Sequence, residues 1–156
     1  MHLPAKNTFI PENFQIENLK GSEFPLYIQK EDNENFGEVF YKFDDKFKSS
    51  KIDMRYKLFT SVDGVGVDPS VYIKMSLWSN ILQNYLMDFS YLANEAGITT
   101  DIAYTHEGVY IRIYGFSDKL DVYCKELANK ILEFSLNKSE DFLRKEFESN
   151  KQKKLL

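Results

Sequence analysis

A chain of 156 residues is long enough for one domain with a single hydrophobic core and needs no disulfide or metal to hold it. Hydrophobic residues make up 43% and aromatics 15%, which suits a packed globule and excludes a largely disordered chain. The net charge of −4, from 20 basic and 24 acidic residues, supplies no basic face to neutralise phosphates, so no nucleic-acid partner is expected.

Cys124 is the only cysteine, which excludes an intrachain disulfide and CxxC metal spacing. It fits a reducing compartment, so a cytoplasmic location is the expectation. No apolar run approaches the length of a membrane-spanning helix, about 18 residues, so no membrane partner is expected. Met1-His2-Leu3-Pro4-Ala5-Lys6 lacks the charged-then-apolar layout of a secretion signal.

Residues 1–35 contain Pro4, Pro11 and Pro25, with Gly21 and the acidic run Glu31-Asp32-Asn33-Glu34. Proline fixes φ and removes a donor, so this stretch reads as an extended arm or linker. Its apolar clusters (Phe9-Ile10, Phe24, Leu26-Tyr27-Ile28) predict that it lies against something. Residues 36–156 read as one α+β unit. Strand character begins at Val39-Phe40-Tyr41-Lys42-Phe43, and Asp44-Asp45-Lys46 carries turn chemistry. Lys51 to Leu58 then alternates, with Ile52, Met54, Tyr56 and Leu58 expected on the core face and Lys51, Asp53, Arg55 and Lys57 in water.

Asp68-Pro69 is a helix start, an acceptor at the N-cap followed by proline at the first helical position. Val71, Met75, Trp78, Leu82, Tyr85, Phe89 and Leu92 recur at steps of four and three, and Gly97 suits a left-handed stop. One continuous helix, roughly 40 Å long, is expected. Ile98 to Tyr104 and Gly108 to Phe116 read as a hairpin turning at Thr105-His106-Glu107-Gly108. Val109, Ile111 and Ile113 share one face, and Tyr110, Arg112 and Tyr114 the other. Ser117 opens a helix with the stripe Leu120, Cys124, Leu127, Ile131 and Phe134; Ser139 opens another with Phe142, Leu143 and Phe147. The sum is an antiparallel sheet packed on one long and two shorter helices.

Chemistry-bearing motifs are scarce. His2 and His106 are the only histidines, and His106-Glu107 is followed at the fifth position by Tyr110, so neither HExxH nor HxxEH exists. Gly64-Val65-Gly66 precedes a helix, but Pro69 stands where a dinucleotide loop needs glycine, and Asp68 would repel an anion. Cys124 falls on a core stripe with no activating histidine. Asp44 and Asp45 are neighbours in a turn and point apart. The candidate site residues are therefore Tyr110, Arg112 and Tyr114, a composition favoured at contact surfaces. No catalytic residue, metal ligand or bound cofactor is expected in this chain.

Three separated motifs carry a resemblance: Leu3-Pro4-Ala5-Lys6-Asn7-Thr8-Phe9-Ile10-Pro11-Glu12-Asn13-Phe14, Val39-Phe40-Tyr41-Lys42-Phe43-Asp44-Asp45-Lys46-Phe47, and Glu95-Ala96-Gly97-Ile98-Thr99-Thr100-Asp101-Ile102 with Gly115-Phe116-Ser117-Asp118-Lys119-Leu120. In order and spacing the chain resembles the insulinase (pitrilysin-type) zinc metallopeptidase family. The resemblance is to the linker and first part of its non-catalytic third, or middle, domain. It implies a parent endopeptidase of four α+β rolls in two hinged halves enclosing a peptide chamber. Zinc and the glutamate base belong to the first roll, and the third serves as chamber wall. The implied partners are the other domains of the same peptidase and, through its chamber, peptide substrates.

Two departures stand out. The family's roll continues with further helices and a strand beyond the part matched here, and Ser49-Ser50-Lys51 lacks a proline-containing segment found there. An incomplete roll leaves apolar surface or a sheet edge open, so self-association of the isolated chain is expected. A free-standing, catalytically inactive binding or scaffolding module is the alternative.

Overall fold

The computed structural model describes residues 6–16, 19–28, 38–59, 68–105, 107–137 and 140–154. His2, Gly64-Val65-Gly66, His106 and Ser139 lie outside the described residues. Along the chain run β1 (Leu26–Ile28), β2 (Val39–Tyr41), β3 (Lys51–Phe59), α1 (Pro69–Tyr85), α2 (Met87–Glu95), β4 (Thr99–Thr105), β5 (Gly108–Phe116), α3 (Ser117–Asn137) and α4 (Glu140–Lys154). The architecture is α+β, as the alternation of periods predicts. Residues 1–13 with 51–156 form one compact unit and residues 14–50 another.

The smaller unit is a two-stranded antiparallel ribbon. Leu26 faces Tyr41 and Ile28 faces Val39, with the Tyr27 and Phe40 rings 5.4 Å apart. Carboxylates tie the segments flanking it: Asp45 Oδ2 accepts from Gly21 N at 2.9 Å, and Asp44 Oδ1 from Lys46 N at 2.9 Å.

In the larger unit the sheet order is β3-β5-β4, antiparallel throughout. β5 is central, with Arg112 opposite Arg55 on one side and Asp101 on the other. Side chains alternate across a strand, so one face carries Val109, Ile113, Ile102 and Tyr104, all buried, and the helices pack against it. The hairpin closes at Gly108, whose φ of +144° belongs to glycine.

α1 starts as its sequence dictates: Asp68 Oδ1 accepts from Ser70 N at 2.8 Å and Pro69 follows at the first position. The long helix differs from expectation. It divides at Leu86, where ψ relaxes to 0°, although Leu86 N still reaches Leu82 O and Ser90 N reaches Leu86 O. The expected stripe also drifts. Leu92 is 48% exposed, while Ala93 and Ala96 are buried. A strict repeat of 3.5 residues slips about 20° per heptad on a helix of 3.6, so by α2 the core has moved one position on. α2 ends in a Schellman motif: Ile98 N bonds Ala93 O, Gly97 N bonds Asn94 O, and Gly97 takes φ +78°.

The core gathers Leu82, Leu86, Ile98, Ile113, Leu120, Tyr123 and Leu127. Phe9, from the N-terminal arm, completes it. Its ring meets Phe89 at 5.5 Å and Tyr123 at 5.3 Å, both edge-on, while Phe89 and Tyr123 stack at 5.1 Å. The arm is fixed further along, where Asp118 Oδ2 accepts from Glu12 N at 2.9 Å and Asn13 N at 3.3 Å.

Two expectations about buried faces change. On β3 only Met54 is half-buried; Ile52, Tyr56 and Leu58 are exposed. β3 is the sheet edge, and α1 and α2 lie over β4, so the helix layer reaches β3 through α3, where Cys124 Sγ is 3.8 Å from Met54 Sδ. Phe147 of α4 is 43% exposed, not core.

Candidate interaction surface

The helix-free face of the sheet is built by the polar half of each alternating strand. β5 contributes Tyr110, Arg112 and Tyr114, β3 contributes Lys51, Asp53, Arg55 and Lys57, and β4 contributes Thr99, Asp101 and Ala103. Tyr110 stands between Lys57 and Ala103, and Tyr114 between Asp53 and Thr99. The three candidate residues thus share the middle strand of one open face. Tyr110 and Arg112 are half-buried by their neighbours, and Tyr114 is exposed.

Asp53 is the hub. Arg55 Nη2 donates to its Oδ2 at 2.8 Å, and Arg112 donates through Nε to Oδ1 at 3.0 Å and Nη2 to Oδ2 at 2.9 Å. The Arg55 hydrogen bond first, then that of Arg112, holds the Asp53 carboxyl far below the usual carboxylate range. Around the hub, Lys57 pairs with Glu107, and Lys51 Nζ lies 5.3 Å from the Tyr114 ring and 4.9 Å from that of Phe116. Each cation is matched by a carboxylate or an aromatic face, so the surface is polar and ordered without a strong net field.

Sequence reasoning found the tyrosines and Arg112 but not Asp53 and Arg55 as their partners. Alternation put those two in water; only the pairing of β3 with β5 shows what they meet there.

A concavity of about 300 Å³ lies between the helices and β4. Leu86, Met87, Tyr91 and Ile102 give it apolar walls; Gln83, Ser90, Asn94 and Thr100 add uncharged polar groups. Gln83 Nε2 donates to Ile102 O at 2.7 Å across it.

Among the described residues no three His, Cys, Asp or Glu side chains are grouped to hold a metal ion, so zinc finds no fitting donor set there. Cys124 is half-buried against Met54, and burial pushes its thiol up, away from nucleophilic use. Asp44 and Asp45 serve different backbone amides and form no acid–base pair. Among the described residues no helix is long and apolar enough to cross a membrane.

The family model for the middle or third domain of peptidase M16 matches residues 1–155. This chain is 30% identical over 135 residues to insulin-degrading enzyme of Bos taurus and of Homo sapiens, a match covering 86% of the chain and 13% of each protein. It is 28% identical over 137 residues to nardilysin of Rattus norvegicus, covering 86% of the chain and 11% of that protein. A crystal structure of pitrilysin shares the fold, with a TM-score of 0.75 at 21% identity, over 97% of this chain and 16% of that one. The chain therefore spans 11–13% of the length of these curated relatives. It belongs to the family of middle, or third, domains of the M16 (insulinase-type) peptidases.

Proposed function

We propose that this chain is a non-catalytic structural domain of a zinc metalloendopeptidase that degrades peptides, and that it forms part of the wall of a substrate chamber. The observation that carries the reading is a match to a middle-domain family over 155 residues joined to a described surface without a metal-ligating group. Zinc and the hydrolytic step belong to another domain of the parent, and this chain's residues bind and position. Residues 1–35 act as the interdomain linker and residues 36–156 as part of a roll.

The open sheet face around Tyr110, Arg112 and Tyr114 is the contact surface. Tyrosines and a bidentate arginine offer stacking and hydrogen bonds to an extended peptide or to a neighbouring domain at little conformational cost. In the parent the partners are its other domains and the enclosed peptide; alone, the chain self-associates through surface those domains would cover. A cytoplasmic place suits a chain with one cysteine.

Hydrolysis of a quenched fluorescent peptide by the purified chain, with zinc supplied, tests the division of labour. The reading predicts a rate equal to the buffer blank. Turnover abolished by a chelator would place chemistry in this chain and overturn it.

A further inference from the structure

We infer that a second copy of this chain adds to the sheet at the outer edge of β3, antiparallel and centred on Arg55. The inference rests on the self-association reading above and names its surface and register.

The two sheet edges are not equivalent. β4 lies under α1 and α2, and Gln83 occupies the carbonyl of Ile102 with a side-chain hydrogen bond of 2.7 Å. Among the described residues no strand pairs with the outer edge of β3, which runs nine residues without proline or glycine. Away from Met54 its helix-side face is largely exposed, with Ile52 45%, Tyr56 38% and Leu58 56%. Val122 on α3, the helix that reaches β3, is 38% exposed. A nine-residue edge with apolar side chains exposed on one face is a template for a further strand.

What selects a second copy is the symmetry of the strand itself, Lys-Ile-Asp-Met-Arg-Tyr-Lys-Leu-Phe over residues 51–59. A two-fold axis at Arg55 sets Ile52 against Leu58 of the other copy and Met54 against Tyr56, each twice. On the outer face it sets Asp53 against Lys57, and Lys51 against the Phe59 ring, again twice. Apolar meets apolar on the helix side, and outside each lysine meets a carboxylate or an aromatic ring. The two Arg55 residues meet at the axis, but each guanidinium already rests on its own Asp53, Nη2 to Oδ2 2.8 Å.

Other registers lose this match. An axis at Met54 opposes Lys51 to Lys57, and one at Tyr56 opposes Arg55 to Lys57. An axis between residues turns the apolar face of one copy against the polar face of the other. Only the Arg55 register pairs all nine residues and keeps both helix layers on one side of a six-stranded sheet.

The test uses the 156-residue chain with Cys124→Ala, which removes the native thiol. Arg55→Cys in that background brings two thiols together at the axis, where Cα atoms of facing residues lie about 4.5–5.5 Å apart, within disulfide reach. Phe59→Cys is the control, because its two copies stand about 27 Å apart. Mild oxidation should cross-link Arg55→Cys at least about tenfold faster than Phe59→Cys. In sedimentation velocity, Lys57→Glu, which opposes two acidic pairs, should weaken the dimer about tenfold. A dimer that cross-links equally at both positions and ignores Lys57→Glu would overturn the register while leaving self-association standing. A monomer throughout the accessible concentration range would overturn both.

Discussion

Arg112 and Asp53, 59 residues apart in sequence, meet diagonally across β5 and β3, with Nε 3.0 Å from Oδ1 and Nη2 2.9 Å from Oδ2. That bidentate pair, shared with Arg55, ties the hairpin to the edge strand on the open face. Asp53→Asn keeps the shape and removes the charge the two guanidiniums share, leaving Arg112 only its cross-strand neighbour Asp101. The pair is partly exposed, so the expected loss is modest, about 1 kcal/mol in urea unfolding at pH 7.

The same carboxylate sets a pH dependence. Its pKa is lowered in the folded state, so its contribution is fully present above the unfolded value, near 4, and is lost as pH falls toward the lower folded value. The stability gap between native protein and Asp53→Asn should hold from pH 7 to 5 and shrink below about pH 4. Asp68 and Asp118 are lowered by the Ser70 and Glu12 amides, so the variant itself should still lose stability in acid. Melts at pH 7, 5 and 3 check both; a gap that widens in acid would contradict the assignment.

Asp118 holds the N-terminal arm through the amides of Glu12 and Asn13. Asp118→Ala should speed exchange of the Glu12 amide by about tenfold, consistent with the loss of a hydrogen bond to a charged acceptor. Amides in the middle of β5 should change little, read by hydrogen exchange with mass spectrometry.

Tyr123 is fully buried, with its hydroxyl 2.6 Å from Thr100 Oγ1, linking α3 to β4. Tyr123→Phe leaves the Thr100 hydroxyl short of a partner and should cost about 1–2 kcal/mol by thermal or urea unfolding. Burial pushes the Tyr123 pKa up, so its neutral form contributes stability below pH 10, the ordinary tyrosine value, that is lost as pH rises through the folded value.

Gly108 is irreplaceable on geometric grounds. A Cβ there would fall 2.0 Å from Leu58 O, at a φ of +144° that L-residues seldom adopt. Gly108→Ala should cost at least about 2 kcal/mol and lower the yield of folded protein, measured by urea unfolding.

Local chemistry made much of this fold legible. Asp68-Pro69 and Gly97 marked both ends of the helical rod because caps use side chains within two or three residues. Alternation over 51–58 and 108–116 fixed both strands and the face shared by Tyr110, Arg112 and Tyr114. What was not legible depended on distant neighbours. The break at Leu86 and the passage of the core from Leu92 to Ala93 follow from helical drift against a fixed sheet. The exposure of Ile52 and Leu58 follows from the edge position of β3, which no period in the strand encodes. Asp53 escaped notice for the same reason: its partner Arg112 comes from another strand.

The size of the polypeptide that carries this sequence in its source cells tests the central claim most directly. An antibody raised against the chain should detect a protein several-fold larger than 18.3 kDa, as a domain spanning 11–13% of its curated relatives implies. A single band at 18.3 kDa would contradict the account and make the chain a free-standing module.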